Sequence, residues 1–114
     1  MGRLPTSQNR RSLNAVLSME ACVEQKMLEV FSETSNSGVV RMPGRAYPGS
    51  VIQGDSLSIL CCLARAIRQR ASASGDAELL EDASELAELL EDRRHHYESV
   101  LGDHGLTLPY TKME

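Results

Sequence analysis

The sequence has few aromatic residues and no long apolar run. It holds one Phe, three Tyr and no Trp, so few rings are available to stack on nucleobases. Its net charge of −4 gives no general attraction to a phosphate backbone. No stretch approaches the roughly 20 consecutive apolar residues that a membrane-spanning helix needs. We therefore expect neither nucleic acid nor a membrane as a partner.

Cysteine is also scarce, and its pattern is not that of a disulfide framework. The chain has three cysteines, an odd number, and its first residues lack the apolar core of a signal peptide. Cys61 and Cys62 are adjacent, so on a helix their side chains diverge by about 100° and cannot hold a metal together. We expect reduced thiols, a buried Cys61 and a cytoplasmic protein.

No motif with known catalytic chemistry is present. Glu91 and Asp92 precede His95 and His96 by four residues, which favours two solvated ion pairs along a helix. Neighbouring histidines diverge, and no further ligand is spaced to join them on a metal. Neither a Walker loop nor a GxGxxG fingerprint occurs, and no catalytic triad has sequence support. We expect a non-enzymatic protein without a metal or cofactor.

Composition divides the chain near residue 18. Residues 1–12 combine three arginines with Pro, Ser, Gln and Asn and show no apolar periodicity. Residues 13–22 have roughly helical apolar spacing. We predict a flexible basic extension over residues 1–18 and a single domain over residues 19–114.

The first part of this domain has the pattern of a small antiparallel sheet. Residues 26–34 are rich in β-favouring side chains, residues 35–38 supply turn formers, and GVVRMP follows as a second strand. A Pro/Gly-rich loop over residues 43–49 then interrupts the pairing. Residues 50–53 predict a short third strand.

Two antiparallel helices follow. The first should begin at Asp55 or Ser56 as N-cap, and the second after Asp76. Residues 71–76 are read as the connector, and the second helix as residues 77–101. Apolar residues spaced by three and four predict the faces that meet in the core: Leu57, Leu60, Ala64, Ile67 and Ala71 on the first helix, and Leu79, Ala83, Leu86, Leu90, Tyr97, Val100 and Leu101 on the second. The predicted fold class is α+β, a small β-hairpin or three-stranded sheet followed by a two-helix hairpin.

The predicted second helix is longer than the first, about 37 Å against about 22 Å at 1.5 Å per residue. Its last turns, with Tyr97, Val100 and Leu101, would overhang the hairpin and need another cover. The sheet and the N-terminal arm could supply it, or a second copy of the chain could, which makes a homodimer through this helix an open alternative.

The most unusual segment is VVRMPGRAYPGSVIQGDSL, which runs through the loop into the first helix. Arg41 and Arg45 could contact an anion beside the helix start. The other candidates for a ligand or partner site here are Tyr47, Gln53, Asp55 and Ser56. Asp55 opposes an anion site, because it already occupies the position that favours negative charge. The structural alternative is a strand-to-helix corner in which Asp55 pairs with Arg41 or Arg45.

Charge is segregated along the chain. Residues 76–104 contain ten acidic residues against Arg93 and Arg94. The common explanation is a solvated helix face. The alternative is an acidic surface that recognises a basic partner and speeds association, with Glu81, Glu85 and Glu88 as its candidate residues.

From about Met27 to Tyr110, the chain resembles a family of small uncharacterised bacterial proteins. The resemblance rests on VVRMPGRAYPGSVIQGDSL and on LTLPY near the end of the chain. More loosely, the chain resembles the small acidic bacterial proteins of immunity type, which neutralise toxins by binding them, and the acidic second helix fits this likeness. That likeness implies a protein partner for the acidic helix.

These observations leave three functions open. The leading one is a protein-binding module, of immunity type in its sharper form. The second is a small-ligand or anion-binding regulator that uses the loop before the first helix. The third is an enzyme subunit that contributes residues only within an oligomer.

Overall fold

The computed structural model describes residues 22–112. The predicted extension over residues 1–18 lies outside them. In order, the elements are β1 (Glu29–Ser32), β2 (Val39–Arg41), β3 (Gly49–Ser50), α1 (Gly54–Ser74) and α2 (Ala77–Asp103). The predicted α+β class is confirmed, with three antiparallel strands in the order β1-β2-β3 followed by two helices.

The sheet is short and irregular. Glu29 lies opposite Arg41 and Val30 opposite Val40, and a bulge at Phe31 shifts the pairing so that Ser32 meets Val39. The turn between β1 and β2 closes where the Ser37 amide donates to the Thr34 carbonyl at 2.7 Å. The third strand is shorter and begins earlier than predicted, since only Gly49 and Ser50 pair with β2.

The two helices form an antiparallel hairpin with a connection of two residues. Gly75 ends α1 with a left-handed φ of 80°, and the Asp76 side chain accepts from the amides of Glu78 and Leu79, both at 3.1 Å. The predicted N-cap at Asp76 is therefore confirmed. The prediction that residues 71–76 form the connector is wrong, because residues 71–74 continue α1. Alanine and serine at these positions fill the last turn without steric conflict.

The contact between the helices is made mainly by small side chains, with Leu57 as the one large aliphatic residue that is buried in the described chain. Cys61, Ala64 and Ala71 of α1 and Ala83 and Ala87 of α2 are buried there. Small residues let two helices approach closely, and the larger aliphatic residues beside them are displaced to the flank. The predicted core positions are therefore confirmed at Leu57, Ala64, Ala71 and Ala83, which are buried. They are wrong at the five residues that are exposed: Leu60, Ile67, Leu79, Leu86 and Val100.

Tyr97, near the far end of α2, is covered by the start of α1. Gly54 is buried, and a Cβ at this position would overlap the ring and hydroxyl of Tyr97. Because α1 has 21 residues, it extends to about 32 Å and reaches Tyr97. The predicted need for another cover is thus wrong for Tyr97, whereas Val100 remains exposed in the described chain.

The end of α2 is a Schellman motif. The Leu106 amide donates to the Leu101 carbonyl at 2.9 Å, and the Gly105 amide donates to the Gly102 carbonyl at 3.1 Å. Gly105 has φ 69°, the left-handed conformation that this motif requires. The motif turns the chain so that residues 106–110 run back along the hairpin.

The sheet and the hairpin are separate layers. Among the elements of residues 22–112, strands contact only strands, and α1 and α2 contact only each other. Val30 and Phe31 of β1 are 51% and 57% exposed. Neither α1 nor α2 is long and apolar enough to cross a membrane.

Candidate functional site

The loop after β2 is built on a tight Pro-Gly turn. Pro43 and Gly44 are its central residues, Gly44 has φ 81°, and the Arg45 amide donates to the Met42 carbonyl at 3.1 Å. A proline followed by a residue with positive φ is the arrangement of a type II turn. The turn fixes the direction in which the Arg45 side chain leaves the loop.

Arg41 is held in place by the sheet. Its Nε donates to Oε1 of Glu29 at 2.6 Å, a second guanidinium nitrogen contacts the same oxygen, and Nη1 donates to the Ala46 carbonyl at 3.2 Å. Its guanidinium also lies 5.8 Å from the centre of the Phe31 ring, within the range of a cation–π contact. Arg41 therefore braces the loop against β1, with its charge compensated by Glu29.

Arg45 has a different environment. It lines an open groove of about 340 Å³ together with Met27, Leu28, Glu29, Arg41, Met42, Pro43 and Gly44. The Arg45 side chain has no hydrogen-bond or ion-pair partner in residues 22–112. Of the two loop arginines, Arg45 is the one whose charge is available to a ligand.

The remaining loop candidates do not converge on this groove. Tyr47 is 84% exposed, and Gln53 is the N-cap of α1 without a side-chain cap bond. Asp55 and Ser56 lie inside the first turn, where an Asp55 oxygen accepts from the Ser56 amide at 2.8 Å. The predicted N-cap at Asp55 or Ser56 is wrong, because the Gln53 carbonyl already accepts the first helical bond from Leu57. The predicted pairing of Asp55 with Arg41 or Arg45 is also wrong, since Arg41 binds Glu29 and Arg45 has no ion-pair partner in residues 22–112.

The acidic candidates form one edge of α2. Glu81, Glu85 and Glu88, here called the acidic edge, are exposed and point away from α1. None of the three has a side-chain partner in the described chain. Their charges are therefore uncompensated and face solvent.

A buried ionic cluster, which sequence reasoning missed, lies on the inner side of α2. Arg94 is 3% exposed, and its Nη1 lies 3.1 Å from Oε2 of Glu98. The hydroxyl of Tyr110 donates to the same Glu98 oxygen at 2.9 Å. Tyr110 lies in the segment that returns after the Schellman motif, so the cluster attaches the end of the chain to the hairpin.

Burial and the neighbouring Glu98 together set the direction of the pKa shifts of Tyr110 and Arg94. Burial raises the pKa of Tyr110 to about 12, and its hydrogen bond to Glu98 acts in the same direction. Burial alone would lower the pKa of Arg94, but the Glu98 carboxylate reverses this and the net direction is upward. Tyr110 therefore stays neutral and Arg94 stays charged at neutral pH, so the cluster is a fixed brace.

Cys61 and Glu91 complete the polar contacts between the helices. The Cys61 thiol is buried, as predicted, and donates to the Leu90 carbonyl at 3.4 Å. Burial raises its pKa, although the neighbouring Arg94 acts in the opposite direction. Glu91 lies between Arg65 and Arg68, at 3.7 and 3.8 Å.

The histidine predictions are corrected by these contacts. Neither His95 nor His96 forms an ion pair with Glu91 or Asp92. Glu91 is engaged by arginines of α1, and His95 Nε2 lies 3.4 Å from a guanidinium nitrogen of Arg94. In the described part of the chain, no group of His, Cys, Asp and Glu side chains is arranged to hold a metal ion.

Fold and surfaces together define a small α+β protein with a loop groove, an acidic helix edge and a buried ionic brace. A family model, that of the family of unknown function DUF6959, matches residues 23–110. The chain belongs to this family, which confirms the predicted resemblance to an uncharacterised family. No curated protein and no solved structure matches the chain.

Proposed function

We propose that the chain is a non-enzymatic protein-binding module of a bacterial cytoplasm, in its sharper form an immunity-type inhibitor. The observation that carries this proposal is the acidic edge. Three carboxylates on one side of a rigid helix, without compensating partners, present a fixed negative surface. Such a surface attracts a basic protein and raises its association rate.

The buried brace supports the same role. Because Arg94, Glu98 and Tyr110 fix the end of the chain to α2, the hairpin presents the acidic edge in one conformation. Pre-organised surfaces bind with a smaller entropic cost.

The first experiment measures how fast the chain associates with the protein that the neighbouring gene encodes, after the two have been produced together and purified. A triple reversal, Glu81→Lys with Glu85→Lys and Glu88→Lys, should slow association at least tenfold at low salt. Wild-type association should slow as salt is raised. Among single reversals, Glu88→Lys tests the acidic edge and Glu33→Lys is the matched control. Glu33 is an exposed carboxylate in the turn after β1. Equal rates for all variants would contradict the proposal.

A second candidate function is binding of a small anion at the loop groove. It is favoured by Arg45, which lines the groove without a side-chain partner. Inorganic phosphate or malonate should raise the melting temperature of the wild type and of Arg70→Ala, but not of Arg45→Ala. A shift of the same size in all three proteins would exclude Arg45 as the ligand.

A further inference from the structure

One face of the helical hairpin is apolar and uncovered. On α1, it consists of Ile59, Leu60, Leu63 and Ile67; on α2, it consists of Leu79, Leu86, Leu89 and Val100. These eight residues are between 37% and 63% exposed. In the described chain, no strand lies against either helix. We call this surface the apolar face.

Helix geometry places the two groups on the same side. At about 100° per residue, each group is rotated in the same sense from the buried contact residues of its helix, with Ile59 at the outer edge of its group. In an antiparallel pair, equal rotation leads to the same face. The opposite face is polar, and there Arg65 and Arg68 of α1 bridge to Glu91 of α2.

The area is that of a protein interface. Eight half-exposed aliphatic residues leave on the order of 600 Å² of apolar surface, more than isolated surface residues provide. A stable interface covers about 800 Å² on each partner, including its polar rim. The apolar face therefore has the size of the central part of such an interface.

The charges on this face are arranged for self-association. Four residues follow one another along the exposed flank of α2 at spacings of four, three and four: Asp82, Leu86, Leu89 and Arg93. They are symmetric about a point between Ala87 and Glu88. Two antiparallel copies of α2 that meet at this point would place Leu86 against Leu89 of the second copy, and Asp82 against its Arg93. Neither Asp82 nor Arg93 has a partner within residues 22–112.

The first helix fits the same symmetry axis. The packing of Tyr97 on Gly54 and the bond from Cys61 to the Leu90 carbonyl fix the register between α1 and α2. This register puts the midpoint of the α2 contact beside Leu63 of α1. The axis then brings Leu60 opposite Ile67 of the second copy, so both helices place apolar residues against apolar residues.

We propose that the apolar face binds a second copy of this chain, forming a two-fold symmetric four-helix dimer with reciprocal Asp82–Arg93 pairs. The interface is isologous, as in most dimers of a single chain. It lies on a different side of α2 from Glu88 and the centre of the acidic edge. Self-association and partner binding can therefore succeed or fail separately.

Sedimentation velocity of the full chain, from about 1 to 100 µM, tests this proposal. The wild type should be a dimer at the upper end of this range. Asp82→Arg and Arg93→Asp should each raise the dissociation constant at least tenfold, because each puts two like-charged pairs into the interface. The double variant, D82R with R93D, should return to within about threefold of the wild type.

Glu88→Arg is the matched control, because it makes the same charge change on the other side of α2 and should leave the dissociation constant unchanged. Far-UV circular dichroism checks that every variant keeps its helices. A wild type that stays monomeric at about 100 µM would overturn the proposal and assign the apolar face to residues 1–21 or to another protein. A double variant that dimerises no better than the single variants would overturn the proposed pairing.

Discussion

The sheet and the helical hairpin are stabilised in different ways. The hairpin has a buried contact of small side chains and an ionic cluster with side chains only 4% and 8% exposed. In the described chain the sheet has neither: Val30 and Phe31 are exposed, Val39 and Val40 are only half-buried, and its best polar contact, Arg41 with Glu29, faces solvent. Three short strands that no helix covers are marginally stable in water. The hairpin therefore supplies most of the stability of the fold, and the loop groove lies on the less stable layer.

The largest effect is expected at the buried cluster of the hairpin. Arg94→Met would leave the Glu98 carboxylate buried beside Tyr110 without its cation, which costs about 3–5 kcal/mol. Urea unfolding at fixed protein concentration measures this loss. Arg45→Met, on the exposed loop, is the control and should change the free energy of unfolding by less than about 0.5 kcal/mol. If Arg94→Met and Arg45→Met lowered the free energy of unfolding equally, the hairpin would not be the more stabilising of the two layers.

The next effect is expected where the start of α1 meets α2. Gly54→Ala places a methyl group in the space of Tyr97 and should destabilise the protein by about 1–3 kcal/mol. Gly102→Ala, whose added Cβ meets no atom within 4 Å, should be neutral or stabilising by up to about 1 kcal/mol. Combining Gly54→Ala with Tyr97→Leu should cost less than the two single changes together. If the double variant lost as much free energy of unfolding as the two single variants together, the two residues would not share this space.

Tyr110 connects stability to pH. Its pKa is raised to about 12 in the folded protein, against about 10 in an unfolded chain. The stabilisation is therefore complete below about pH 10 and is lost as the pH rises towards 12. Tyr110→Phe removes the hydrogen bond to Glu98 and should cost about 1.5 kcal/mol at pH 7. It should also lose less stability than the wild type between pH 10 and 12; parallel curves in thermal unfolding would contradict the assignment.

The smallest effect is expected in the sheet. Glu29→Gln removes the charge opposite Arg41 and should cost about 0.5 kcal/mol, typical of an exposed cross-strand pair. Glu33→Gln, beyond the end of β1, is the control and should have no measurable effect. A loss at Glu29 as large as that at Arg94 would mean that the sheet is as important to the fold as the hairpin.

Much of the fold could be predicted from local patterns, because turns and caps depend on a few neighbouring residues. The turn formers at residues 35–38, Asp76 as an N-cap and the two helical stretches all correspond to observed elements. Which side of each helix is buried could not be predicted in this way. Within the predicted stripes, small residues such as Ala64 and Ala83 are buried because they allow the closest helix approach, whereas the larger Ile67, Leu79 and Leu86 are exposed.

The candidate site was predictable in composition but not in arrangement. Arg41 and Arg45 both stand out in the sequence, but only the register of β1 with β2 shows that Glu29 compensates Arg41. The pairing of Arg94 with Glu98 has the i, i+4 spacing of ordinary surface ion pairs. Its burial depends on the return of residues 106–110 along the hairpin, and no local pattern reports that long-range contact.

Native-state hydrogen exchange tests the difference between the two layers most directly. The central amides of α1 and α2 should exchange only through global unfolding, while the paired amides of β1 and β2 should exchange through local opening at a lower free energy. Raising the denaturant concentration should speed exchange in the helices and leave the strand amides nearly unaffected until both rates merge. Strand amides protected as strongly as the helical ones from the outset would contradict the account.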